Sequence, residues 1–284
     1  IDLLYFLPYA TKKGSKIYAE ELIFKGIPRI LMGSIHDRGS SKARLLKRFI
    51  EPNILGKLLG QIQAEGTKSD NYKIEFCNKN ILELREFIGF LSSLGISKDS
   101  LSVKLDYHPS FSKELSKIKN DFRRQFKMKI NYFSISKTAG KGYGFKIIFR
   151  NVVVSELIYS ALIKMRQVID TERWKGNLLP FCYGYLSKLL CGDGTFELTS
   201  KNRKKIQSRI KIYDGDVGYL KHYSIILKKF GFTPYIKEKR LFVRAMCNVN
   251  LAKKLLEIDA FNTNNNHNKI RYFLKVNEVP TKKC

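Results

Sequence analysis

The stretch ILGKLLGQIQAEGTK, Ile54 to Lys68, runs an apolar helical pattern into a carboxylate, Glu65, followed at once by a glycine. A helix dipole favours cations in the last turn, by about 0.3–1 kcal/mol for an exposed group. The acid therefore stands at the end its helix least welcomes. One such acid is commonplace. A second instance, YGYLSKLLCGDGTFEL from Tyr183 to Leu198, makes it a pattern.

Pairing Glu65 with Asp193 sets an offset of 128 residues (193 less 65) and lays Gly56 on Gly184, Leu58 on Leu186, Gly66 on Gly194 and Thr67 on Thr195. Beyond the motif, IEFCNKNILELREFIGFLSSLGI (Ile74–Ile96) lies over IKIYDGDVGYLKHYSIILKKFGF (Ile210–Phe232) at an offset of 136 (210 less 74). The eight extra positions fit a longer first strand and turn in the second copy, within ELTSKNRKKIQSRI. Each copy reads helix, strand, a helix ending at Gly95 or Gly231, further strands and a closing helix. The later strands are SLSVKLDYHP, KINYFSIS and YGFKIIFRN in the first copy, and PYIKEKRLFVRAM in the second. The closing helices are VVVSELIYSALIKMRQV and NVNLAKKLLEI, and the first copy carries an inserted basic helix, SKELSKIKNDFRRQFK. Three segments follow: residues 1–50, 51–170 and 171–284. The first is expected to form short basic helices broken at Gly14, at Gly26-Ile27-Pro28 and at Gly39-Ser40-Ser41.

The net charge of +28 costs self-repulsion in a compact chain, which a polyanionic partner offsets. The basic residues are spread along the chain rather than gathered on one amphipathic helix, which favours nucleic acid over an anionic membrane surface. No apolar run approaches the roughly 18 residues of a membrane span. IDLLYFLP at the start lacks the basic region and small-residue cleavage site of a signal peptide. Cys77, Cys182, Cys191, Cys247 and Cys284 form no C-x-x-C pair, which argues against zinc and a disulfide framework and suits a reducing, intracellular setting: cytoplasm, nucleoid or organelle matrix. His36, His108, His222 and His267 show no ligand spacing and read as surface or packed imidazoles.

LLGQIQAEG (Leu58–Gly66) and LSKLLCGDG (Leu186–Gly194) resemble the two copies of the signature that names the LAGLIDADG homing endonucleases. Leu58, Gly60, Ile62, Ala64, Glu65 and Gly66 fit it in the first copy; Leu186, Leu189, Leu190, Gly192, Asp193 and Gly194 fit it or replace it conservatively in the second. The resemblance covers about residues 51–277. It implies an α+β fold of two pseudo-symmetric αββαββα-like repeats, here with a helical N-terminal extension, folded as a monomer with an internal pseudo-dimer. It further implies a site-specific, intron-encoded type of endonuclease that uses Mg²⁺ to cut both strands of double-stranded DNA and leaves 3′ overhangs. Ca²⁺ is expected to bind without supporting cleavage. Intron RNA, through maturase activity, is the alternative partner, and a DNA-binding regulator with a helix-turn-helix in YAEELIFKGIPRILMGSIHDRGSS is a third reading.

Gly56, Gly60 and Ala64 fall at i, i+4 and i+8, a helix face stripped of side chains that lets two backbones approach closely. Glu65 and Asp193 would then lie side by side, with the carbonyls of Ala64 and Gly192 pointing the same way. Oxygen-only donors of this kind suit Mg²⁺. Lys188 stands where the first copy has Gly60; either it snorkels out along the seam, or the closest contact shifts to Ser187 and Cys191.

Alternation in YKIEFCNK points Ile74 and Phe76 inward and Lys73, Glu75, Cys77 and Lys79 outward. In the second copy Ile206, Ile210 and Ile212 point inward, and Gln207, Arg209, Lys211 and Tyr213 outward. Lys104, Lys146, Arg150, Lys237 and Arg244 are outward candidates on the remaining strands. Such a face engages phosphates through Lys and base edges through Gln and Arg. Lys79 falls where members of the resembled family place a lysine near the scissile phosphate, and Gly215 stands at the matching position, with Lys211 four residues upstream.

Overall fold

The computed structural model describes residues 1–36, 39–40, 43–66, 73–136, 142–171, 176–202, 205–244, 249–261 and 265–278. The expected helical extension is instead a β-sheet. Strands β1 (Lys16–Phe24) and β2 (Ile27–His36) form a hairpin closed on Phe24 and Ile27, with short β3 (Gly39–Ser40) and β4 (Arg44–Lys47) also pairing with β2. Its two turn residues, Lys25 and Gly26, have φ of 52° and 73°, the mirror-image turn whose twist matches flanking strands. The run Ala19-Glu20-Glu21-Leu22 is rich in helix formers, yet cross-strand pairing overrides that weak preference. The segment offered for a helix-turn-helix is thus largely this hairpin. The sheet docks on the first repeat: Lys47 N–H donates to the Leu94 carbonyl at 2.9 Å, and the Arg44 guanidinium lies over the Phe149 ring at 5.8 Å.

The first repeat runs α1 (Pro52–Glu65), β5 (Lys73–Asn78), α2 (Ile81–Ser93), β6 (Leu101–Tyr107), α3 (Leu115–Phe126), β7 (Tyr132–Ile135), β8 (Tyr143–Arg150) and α4 (Val152–Asp170). Its sheet has the order β5-β8-β6-β7. Only β6 and β7 are parallel, and the inserted α3 supplies the crossover that a parallel pair needs. The second repeat runs α5 (Leu178–Gly192), β9 (Gly194–Asn202), β10 (Lys205–Tyr213), α6 (Val217–Lys229), β11 (Pro234–Lys237), β12 (Arg240–Arg244), α7 (Val249–Glu257) and α8 (Asn265–Glu278), with sheet order β11-β12-β10-β9. The helix α8 has no counterpart in the sequence expectation. The chain forms two compact units, Ile1–Ile54 with Gln61–Lys164, and Leu55–Gly60 with Met165–Cys284.

The repeats match residue by residue. Lys73 pairs with Arg150 as Arg209 pairs with Arg244, and β5-β8-β6 takes the place of β10-β12-β11. Gly66 bridges to Phe76, and Gly194 pairs with Ile212. Those two pairings reproduce both sequence offsets at once, so the eight extra residues lie between the glycine and the second strand, in β9 and its turn to β10.

Each sheet buries one face under helices. In the first unit Phe76, Ile147 and Val103 share that face, and Phe76 stacks on Phe87 of α2 with ring centroids 4.7 Å apart. In the second, Phe196, Ile210 and Val243 share it, and Phe196 meets Phe273 of α8 edge-on at 6.2 Å. Burying a side chain of this size contributes about 1.5–3 kcal/mol. The opposite face of each sheet is mostly polar, but carries the buried Ile148 in the first and the stacked Tyr235–Phe242 pair in the second. Among the described residues, no helix is long and apolar enough to cross a membrane.

Candidate nucleic-acid interface and metal site

Pro52 starts α1 at a position where a missing N–H costs nothing, and the helix runs to Glu65. Gly66 then turns the chain back with φ −86° and ψ 163°, extended values open to any residue. The need for glycine is steric: a Cβ there would lie 2.5 Å from the Ile62 carbonyl oxygen. At Gly194 a Cβ would lie 2.5 Å from the Leu190 carbonyl oxygen and 2.9 Å from the Phe261 ring. In both repeats the glycine after the acid lies tightly against the last helical turn.

Neither α1 nor α5 has a basic residue in its last turn to offset the dipole. Glu65 keeps open surface, yet desolvation, and after it the charge of Glu83, raises its carboxyl above the ordinary carboxylate range. Glu83 is itself held by Gln61, whose Nε2 donates to its Oε2 at 2.6 Å. Asp193 caps α5 half-buried, its N–H donating to the Leu189 carbonyl at 2.9 Å. Ala64 and Gly192 are each one residue before the acid, among the helix-terminal carbonyls that lack intrahelical donors. Among the described residues, no three His, Cys, Asp or Glu side chains cluster as a metal centre within reach of one another. The chemistry of the donors (carboxylate and carbonyl oxygens at dipole-negative helix ends) fits a hard divalent cation.

The stripped helix face is real where it is described. Within the second unit, a Cβ on Gly56 would lie 2.1 Å from the Phe181 carbonyl oxygen, and one on Gly60 2.5 Å from that of Tyr185 and 3.2 Å from the Lys188 Cβ. Contact advances in the same direction along both segments. Lys188 follows neither expected course: it is 1% exposed, and Gly60 opposite it supplies the room. Ser187 is turned to the Asp259 carbonyl at 3.0 Å.

The open face of the first sheet gathers Lys73, Glu75, Lys104, Lys146 and Arg150, as the alternation predicts. Glu75, expected among the outward DNA-facing residues, is drawn in against its neighbours. It is 5% exposed, clamped by Lys73 Nζ at 2.8 Å and Lys146 Nζ at 3.8 Å, so it orders two cations instead of presenting itself. The open face of the second sheet carries Gln207, Arg209, Lys211, Tyr213 and Lys237. There Glu197 takes the clamping role, accepting from Arg209 Nε at 2.9 Å and lying 3.6 Å from Lys211 Nζ. Its pKa is lowered: burial acts upward, and the Arg209 hydrogen bond and charge outweigh it. Ile210 and Ile212 are fully buried, whereas Ile206 beside the β-bulge is only half so. Thr67, Cys247, Cys284 and the Arg244 side chain lie outside the described residues.

Sequence reading missed Arg240, Tyr235 and Phe242 on this second face, and Tyr132 on the first. Tyr235 and Phe242 stack at 5.3 Å with the Arg209 guanidinium 5.4 Å from the Phe242 ring, and Arg150 lies 5.7 Å from the Tyr132 ring. For Arg240 and Phe242 the signal was present in the alternation of the KRLFVR strand but reads equally well as core.

Lys79 is exposed in the bend between β5 and α2. It is the middle residue of a turn in which Asn78 Oδ1 accepts from Asn80 N–H at 2.9 Å, and Asn80 Oδ1 in turn caps α2 at Leu82 N–H, also at 2.9 Å.

No protein-family model matches the chain, and no curated protein matches it. Among solved structures it is similar to the I-SmaMI LAGLIDADG homing endonuclease bound to cleaved DNA, at 11% identity and TM-score 0.43 over 81% of this chain and 89% of that one. It is also similar to I-DmoI in complex with its target DNA and manganese, at 12% identity and TM-score 0.38 over 76% and 97%.

Proposed function

We propose that this chain is a site-specific DNA endonuclease of the LAGLIDADG homing type, hydrolysing one phosphodiester on each strand with divalent metal ions, Mg²⁺ in the first place. The observation that carries the reading is the duplicated helix end. Two acids, each followed by a glycine that only a Cβ-free residue can occupy, stand at the same point of two register-matched repeats.

Glu65 and Asp193 hold the metals, helped by the Ala64 and Gly192 carbonyls. A divalent cation held there would supply Lewis-acid chemistry, activating water and stabilising the leaving oxygen. Lys79 donates toward charge developing at one scissile phosphate. The open sheet faces bind the duplex: Lys73, Lys104, Lys146, Arg150, Lys211 and Lys237 on phosphates, Gln207 and Arg209 on base edges, with Tyr213 beside them. The glycine contacts of Gly56 and Gly60 support close packing of that segment on α5 within the second unit. Intron RNA binding shares this fold and charge, but the intact acid at each helix end favours cleavage.

The test is cleavage of a library of randomised DNA targets with Mg²⁺, Ca²⁺ or a chelator. Double-strand cuts with 3′ overhangs in Mg²⁺ alone are expected. Absence of any Mg²⁺-dependent cut from a library that the protein binds would overturn the reading.

A further inference from the structure

The inserted helix α3 has no partner in the second repeat, and its charge is not used by either open sheet face. From Lys113 to Lys129 it carries seven Lys or Arg against two acids. One stripe of the helix, Ile118, Phe122 and Phe126, is buried, with Phe122 4.5 Å from the Phe145 ring. Phe145 lies in register with Leu105, on the same face of the sheet as Phe76 and Ile147, which α2 covers. Lys104 and Lys146 alternate to the other face. The helix α3 therefore lies on the helical layer, and its outer surface is separated from the open sheet face by a sheet-to-helix spacing of about 10 Å.

That outer surface is shaped as well as charged. Asn120, Arg123, Arg124, Lys127, Met128 and Lys129 line an open cleft of about 740 Å³. A neighbouring cleft of about 250 Å³ shares Lys127, Met128 and Lys129 and continues toward Lys98. Of the acids nearby, Asp121 pairs with Arg124 at 2.9 Å, Asp99 lines the smaller cleft beside Lys98, and Glu114 stands at the start of α3. Lys127 ends α3 in the left-handed conformation, φ 56° and ψ 29°, where glycine is the usual residue. Within α3 itself no aromatic ring is exposed, and the half-exposed Phe133 ring of β7 beside it is covered by Lys119 Nζ at 4.3 Å.

We propose that the outer face of α3 and the following Lys127–Lys129 segment bind the phosphate backbone of a second nucleic-acid duplex, distinct from the one on the sheets. Phosphate chemistry is common to B-form DNA and A-form RNA, and the test separates them. It does not depend on cleavage, so it stands or falls apart from the nuclease reading.

The experiment measures binding stoichiometry by analytical ultracentrifugation with labelled 20-base-pair duplexes of mixed sequence, one arm DNA and one RNA. Wild-type protein is expected to take up two duplexes in at least one arm, and the arm that fills the second place identifies the source. The variant Arg123→Glu/Arg124→Glu/Lys129→Glu is expected to weaken the second event about tenfold or more and to flatten its salt dependence by about 0.9 per lost phosphate contact, leaving the first event in place. The milder Lys127→Gly is expected to weaken the second event too while raising the melting temperature, which separates lost charge from lost fold. A single duplex per chain in both arms, or a second event untouched by these variants, would overturn the proposal.

Discussion

Lys79 and Gly215 hold the same position in the two repeats. Asp214 Oδ1 accepts from Asp216 N–H at 3.0 Å, and Asp216 Oδ1 caps α6 at Gly218 N–H at 2.7 Å, repeating bond for bond the turn around Lys79. One scaffold is thus built twice, and only one copy carries the lysine.

A donor set beside one scissile phosphate cannot serve the other, and loss of such a donor costs roughly 2.7–4 kcal/mol in other enzymes. Lys79→Met is therefore expected to slow one strand far more than the other, so nicked plasmid accumulates ahead of linear product. A time course with each strand separately labelled measures this. Equal slowing would make Lys79 an ordinary backbone contact. Lys211→Met is expected to give the opposite bias only if Lys211, now ion-paired with Glu197, serves the vacant position.

Glycines in helices separate by what surrounds them. Gly56→Ala would drive a methyl to 2.1 Å from a backbone carbonyl that has no flexible end to yield, and is expected to destabilise the fold by about 3 kcal/mol. Gly89→Ala, at an exposed position of α2 with nothing within 4 Å, is expected to stabilise by about 0.5–1 kcal/mol. Chemical denaturation of the two variants against the wild type provides the comparison.

His222 is 1% exposed, with Nδ1 3.0 Å from Asp170 Oδ1. Burial lowers its pKa, and the Asp170 hydrogen bond offsets this only in part while Arg166 adds to it. A lowered folded pKa means stability that is complete above the unfolded value of about 6.5 and is lost as pH falls below it, because only the unfolded chain then takes the proton. Between about pH 7.5 and about pH 5.5 the wild type is expected to lose more stability than His222→Gln. The same loss in both would assign the pH dependence elsewhere.

Glu75 separates two uses of an acid on a basic face. As a clamp on Lys73 and Lys146, it weakens their pull on phosphate, so Glu75→Gln is expected to tighten non-specific DNA binding at low salt. A direct contact to a base would make the same variant weaken binding to the selected target and leave non-specific binding alone. Fluorescence anisotropy at several salt concentrations distinguishes them.

Much of this architecture is legible in the sequence because its signals repeat. Glu65-Gly66 and Asp193-Gly194 fall in the same register, and the alternations around Ile74 and Ile210 survive as buried faces. Local signals failed where tertiary pairing overrides propensity. Ala19 to Leu22 reads as helix and folds as strand, since its hairpin turn, Lys25-Gly26, carries only a weak turn signature. Lys188 and Glu75 fail for a second reason: charge predicts exposure, but a glycine across the helix contact and two flanking lysines make room for them inside.

The central claim is that Glu65 and Asp193 act in chemistry and not in holding DNA. The most direct measurement is cleavage and binding, side by side, for Glu65→Gln and Asp193→Asn on a target selected with the wild-type protein in Mg²⁺. Each variant is expected to lose double-strand cleavage altogether while binding the target within about threefold of the wild type, since most affinity resides in the basic sheet faces. Full double-strand cleavage by either variant would contradict the account.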